Sequence, residues 1–156
     1  MLCTTLKWVG PHELSILDDA KVPERPGVYV FTEYHTLPYP NKTRPTPNHP
    51  NYVKMIEESR VTPCLLYIGK AANLRKRFKG YRLRWPLNAR KQKGQDTNYR
   101  ANRHKGRALL HAHQFFDKPI YLWWTESNSP KELESSLIKE MHPVLNTKEV
   151  IFFDQD

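Results

Sequence analysis

Apolar residues fall in three short continuous runs separated by helical stripes. The runs are 27–31 (GVYVF), 64–69 (CLLYIG) and 119–126 (PIYLWWTE). Each is short and rich in β-branched and aromatic residues, so each is predicted to be a strand, the first of them central. One stripe lies at 71–81, where Leu74 and Phe78 are four apart and Arg75, Lys76 and Lys79 fall to the other side. Gly80 is placed to end it. A second stripe at 107–116 repeats Leu109, Leu110, His113 and Phe116 at helical spacing. A last helix is predicted from Ser129, whose hydroxyl can cap it, with Pro130 in the first helical position and Glu132 three residues after the cap. It runs through KELESSLIKEM and stops before Pro143.

Residues 37–52 carry five prolines among Asn and Thr, cannot sustain helix or ladder hydrogen bonds, and are predicted to be a surface excursion, with a short helix at 52–60 inside it. The expected architecture is of the α/β (α+β) class. A small three-stranded, largely antiparallel sheet is flanked by helices in the order β-β-α-α-β-α, with the Pro-rich insertion between the first two strands. With 156 residues and 38% apolar positions the chain fits one domain, 1–156, with its core at 26–146 and insertions at about 34–61 and 82–107.

Composition narrows the setting. No run approaches the roughly eighteen apolar residues of a membrane span and no secretory pattern opens the chain, which predicts a soluble, cytoplasmic protein, associated with the nucleoid if bacterial, and no membrane partner. The two cysteines, Cys3 and Cys64, form neither a disulfide framework nor a thiolate zinc site, so both are expected as reduced thiols. Charge is the stronger signal: 25 Lys+Arg against 16 Asp+Glu leaves +9, and 14 of the basic residues lie between Lys70 and Arg107 beside one acid, Asp96. Such a block is either the footprint of a polyanion or a solvated loop. Tyr81, Trp85 and Tyr99 are interleaved with it, which suits stacking on bases, although the same rings would serve as core beneath a loop. Arg75, Lys76, Arg82, Arg84, Arg100, Arg103 and Arg107 are the expected nucleic-acid contacts.

PGVYVF, then LLYIGKAANLRKRF, then ELESSLIKEMHPVLN resemble, in that order, the GIY-YIG nuclease superfamily, and most closely the N-terminal nuclease domain of the bacterial excision-repair nuclease. The resemblance covers residues 26–146 apart from the Pro-rich excursion, where the family usually has a short turn. It places Gly27, Val28 and Tyr29 on the first motif, with Val28 where the family name has Ile, and Tyr67, Ile68 and Gly69 on the second. Lys70, Arg77, Glu134 and Asn146 follow as further site residues.

The resemblance implies a Mg²⁺- or Mn²⁺-dependent endonuclease that hydrolyses phosphodiester bonds of DNA, with RNA left open. Glu134 would hold one ion, whose preferred oxygen shell retains several waters. Tyr29 or Tyr67 would act as general base, and Arg77 offers a planar fork to phosphate oxygens that lysine cannot copy. Gly69 would let the backbone turn sharply and admit the phosphate. The plainer readings are core tyrosines, solvated charges at Lys70 and Arg77, and a Glu134 paired with Lys131; Glu132 competes for the metal and Asn146 for a turn cap. His104, His111 and His113 cannot be aligned to an assisting role. The competing functions are a non-catalytic nucleic-acid-binding module on the same fold, and an interaction domain for acidic proteins, which explains the charge but not the order of the motifs.

Overall fold

The computed structural model describes residues 1–42, 62–79, 119–144 and 146. The Pro-rich excursion beyond Lys42, Gly80, the basic segment 82–107 and the helix predicted at 107–116 lie outside them.

The described sheet has four strands, not three. β1 (Val9–Glu13), β2 (Gly27–Thr32), β3 (Leu65–Ala71) and β4 (Tyr121–Glu126) stand in the order β1-β4-β2-β3, and every pairing is antiparallel. The three expected strands are present, and GVYVF is an inner strand, buried along its whole length. The additional strand comes from a stretch with no period-two pattern, because Gly10 and Pro11 interrupt it. Its register slips between Val9, opposite Trp124, and His12, opposite Leu122, so one extra residue is accommodated as a bulge. Gly10 has a φ of +142°, and a Cβ there would sit 2.8 Å from the Leu122 carbonyl oxygen and 2.9 Å from the Trp123 ring. The core therefore does not begin at residue 26: Cys3, Leu14, Leu17 and Val22 are all buried in it.

The sheet separates two apolar layers, as alternation along each strand requires. Tyr29, Phe31, Leu66, Leu122 and Trp124 pack on one side with Leu74 and Phe78 of α2, the helical residues 74–79. Val28, Val30, Ile68 and Trp123 pack on the other with Leu137 and Met141 of α3 (Pro130–Met141). A short N-terminal helix, α1 (Leu2–Thr5), adds Cys3 to that second layer. Its amide groups at Leu2 and Cys3 donate to the two carboxylate oxygens of Glu140 on α3, at 2.6 and 2.8 Å.

Local chemistry fixes the helix ends. At α2, Asn73 Oδ1 accepts from the Lys76 amide at 3.0 Å, while the Leu74 and Arg75 amides donate to the carbonyls of Arg25 and Pro23 at 2.9 and 3.2 Å. At α3, Pro130 takes the first position as expected, but the Ser129 hydroxyl makes no capping bond. Instead the Ser129 amide donates to Ser127 Oγ at 3.0 Å, so the turn before the helix is closed by the serine two residues earlier. The helix ends at His142, which has a left-handed φ of 52°, ahead of Pro143.

Both cysteines are free and buried, as reduced thiols should be. Burial, and then the neighbouring Glu140 carboxylate, push the Cys3 thiol up to about 11. Among the described residues no helix is long and apolar enough to cross a membrane.

Candidate active site

The second motif lies inside a strand. β3 continues through Gly69 and Lys70 to Ala71 before the chain bends into α2, so Gly69 is not at a sharp turn as expected. It stands directly opposite Tyr29, and a Cβ at Gly69 would fall onto the phenol ring and hydroxyl of Tyr29. The glycine is required because the Tyr29 ring crosses the strand at that point.

That crossing gathers an aromatic cluster on the α2 side. The Tyr29 ring lies edge-on to Phe31 at 5.5 Å and to Phe78 at 5.2 Å, and 6.3 Å from the ring of Tyr67. Tyr67 in turn stacks on Phe31 at 6.2 Å. Tyr29 is fully buried, whereas Tyr67 is only partly so. Arg77 leaves the same helix next to Phe78, and its Nη1 is buried with no hydrogen-bond partner among the described residues.

Lys70 belongs to the opposite side, as the residue after Gly69 must. Its Nζ lies 3.2 Å from Glu134 Oε1, across 64 residues of sequence, with the lysine side chain 48% exposed and the glutamate 17%. Glu134 reaches that point because it stands three and seven residues before Leu137 and Met141, both fully buried, so it continues the inward stripe of α3 to the helix's N-terminal end. The described partner of Glu134 is thus Lys70. Glu132, the competing carboxylate, is exposed.

Asn146 comes to β3 at the next outward-facing residue, where its side chain binds backbone. Asn146 Oδ1 accepts from the Ile68 amide at 2.5 Å and Nδ2 donates to the Ile68 carbonyl at 2.6 Å. It holds the strand two residues from Lys70 with the groups that would otherwise be available to a substrate.

The expected nucleic-acid contacts divide. Arg75 is turned inward, donating from Nε to the Val22 carbonyl at 2.7 Å and from Nη2 to the Ala20 carbonyl at 3.4 Å, with Nη1 3.9 Å from Glu24. Lys76 is exposed. Arg82, Arg84, Arg100, Arg103 and Arg107 lie outside the described residues, as do His104, His111 and His113. Sequence reasoning missed Asn73, although an Asn immediately before a helical stripe is a recognisable cap signal, and Asn41, which the Pro-rich pattern around it conceals.

No family model matches the chain, and neither does any curated protein or solved structure.

Proposed function

We propose that the protein is a metal-dependent endonuclease that hydrolyses phosphodiester bonds in DNA. The observation that carries this reading is the contact between Lys70 and Glu134, two residues far apart in sequence that meet at 3.2 Å on the surface of the sheet. A surface ion pair alone would be worth little to the fold; the pairing supports the reading because it joins the two charged residues that the sequence motifs single out.

The remaining groups supply what the reaction needs. β3 is an edge strand of the described sheet, so a polyanion approaching that edge can meet side chains from both faces of the sheet: Tyr67 on one, Lys70 and Glu134 on the other. Arg77 is permanently charged, and its buried Nη1 has no partner among the described residues, a state that is costly unless an anion serves it. A phosphate oxygen is such an anion, and the fork geometry of Arg77 suits the charge that accumulates on phosphoryl oxygens in the transition state. Lys70 would add a compact positive charge at the same strand from the other face of the sheet. Tyr67 is the tyrosine suited to general base, because its partial exposure lets it reach a water, whereas Tyr29 is sealed beneath α2.

Glu134 is the residue that would hold a divalent ion. A carboxylate is a hard oxygen donor, so the ion that fits Glu134 is a hard one that keeps most of its waters, Mg²⁺ or Mn²⁺. When bound, such an ion supplies charge neutralisation at the phosphate and a more acidic water.

Supercoiled plasmid incubated with the protein and Mg²⁺ should be nicked or linearised, and chelator should stop the reaction. Binding without cleavage of plasmid, branched and single-stranded DNA under both conditions would instead assign the fold to a non-catalytic nucleic-acid-binding module.

A further inference from the structure

We propose that Asn41 is a positioning residue that fastens the C-terminal end of α3 to the start of β3 and thereby sets Glu134 in register with Lys70. The inference rests on the reading above for its catalytic consequence, but the junction itself is independent of it.

A helix leaves its last carbonyls without intrahelical partners. In α3 two of these are met by one residue of the segment that follows β2. The Asn41 amide N–H donates to the Met141 carbonyl at 2.9 Å, and Asn41 Nδ2 donates to the His142 carbonyl at 2.9 Å. The same Nδ2 donates to the Leu65 carbonyl at 2.8 Å, and Asn41 Oδ1 accepts from the Leu65 amide at 2.9 Å. Both donors and the acceptor of the side-chain amide are thus engaged, two partners on β3 and one on the end of α3, with the residue's own backbone adding a second bond to the helix.

Those two elements each carry half of the Lys70–Glu134 pair. Glu134 lies two turns before Met141 on a helix of 12 residues, and a helix segment of that length moves as a rod, so a shift at its anchored end is passed to Glu134. Lys70 lies on β3 beyond Leu65, within one continuous strand. A displacement of about 1 Å between reacting groups can cost roughly 10²-fold in rate. No other common side chain replaces Asn41: Asp cannot donate, Ala does neither, and Gln places the amide one methylene too far out.

The test compares Asn41→Ala and Asn41→Asp with Glu140→Gln, which loosens α1 from α3 without touching the β3 junction and so controls for lost stability. All are assayed with Mg²⁺ at a temperature where each is fully folded by circular dichroism. The expected result is a kcat at least 10-fold below the parent for both Asn41 variants, DNA affinity within about 2-fold, and a kcat within about 2-fold of the parent for Glu140→Gln. Asn41 variants that turn over like the parent, or a Glu140→Gln loss as large as theirs, would overturn the proposal. If the parent cleaves no DNA the nuclease reading fails, and hydrogen exchange then decides the junction. Exchange at least 10-fold faster at the Leu65 amide and in the last turn of α3 in Asn41→Ala upholds it, and unchanged exchange at both overturns it.

Discussion

The ring of Tyr29 occupies the space that a side chain at position 69 would need, and Gly69 stands opposite it in the neighbouring strand. The two motifs are therefore one packing unit: the first contributes the ring and the second the gap.

Gly69→Ala should accordingly destabilise the protein by about 1–3 kcal/mol, the usual range for forcing extra volume into a packed core. Chemical denaturation measures it. In a Tyr29→Ala background the same change should cost much less, because the ring it collides with is gone; equal costs in the two backgrounds would show that the crowding lies elsewhere.

Glu134→Gln should abolish cleavage while leaving DNA binding intact or tighter, since a negative charge is removed from beside the phosphate. Stability should move by less than about 1 kcal/mol, because Lys70 is half exposed and the ion pair is screened. Cleavage within a few fold of the parent would place the ion on other ligands.

Arg77→Lys keeps the charge and loses the fork, and turnover should fall by roughly 10²-fold or more. Arg77→Met should be inactive and yet at least as stable as the parent, because it removes a buried guanidinium nitrogen that has no partner among the described residues. A marked loss of stability in Arg77→Met would mean that the guanidinium serves the fold.

Acid should release α1. Burial alone would raise the Glu140 carboxyl, but the amides of Cys3 and Leu2 donate to it and outweigh burial, holding it below its ordinary value of 4.5. A carboxylate whose folded pKa is depressed contributes stability above its unfolded value and loses it as pH falls through the folded one. The stability difference between the parent and Glu140→Gln should therefore be constant near neutrality and shrink below about pH 4.5. A difference independent of pH down to acid unfolding would remove Glu140 from that role.

Salt dependence separates Arg75 from its neighbours. Lys76→Ala, and the combined replacement of Arg100, Arg103 and Arg107 by Ala, should weaken DNA binding and flatten the plot of log affinity against log salt by roughly 0.9 per lost phosphate contact. Arg75→Ala should leave that slope alone and lower stability, since its guanidinium serves the carbonyls of Val22 and Ala20. A change of slope in Arg75→Ala would show that it exchanges those carbonyls for phosphate.

The three apolar runs were legible as strands because each combines β-branched and aromatic residues over a length too short for a helix. α3 was legible from Pro130 in its first position and Pro143 just past its end. β1 was not, since its bulge consumes the alternation that would announce it and puts Gly10 and Pro11 where a regular strand has neither. Of the site, Lys70 and Glu134 could be named from the sequence, but not that they touch, because a contact across 64 residues leaves no local periodicity. The reason for Gly69 was likewise hidden: its constraint is the ring of another strand. Asn41 could not be found at all, because its partners are backbone groups far away in the chain, and those leave no local sequence signature.

Asn41 and Asn146 have a consequence beyond the site. Among the described strands β3 is the outermost on its side of the sheet, and exposed strand edges recruit other chains into continuous ladders. Here the outward amides and carbonyls of Leu65 and Ile68 are already answered by asparagine side chains of the same molecule. An amide side chain offers the donor and acceptor of a neighbouring strand without offering a next residue to extend the ladder. The edge is thereby blunted against self-association at Leu65 and Ile68, where the Val144 amide also donates to the Leu65 carbonyl, and a preparation lacking both asparagines should be the one that forms β-rich aggregates on standing.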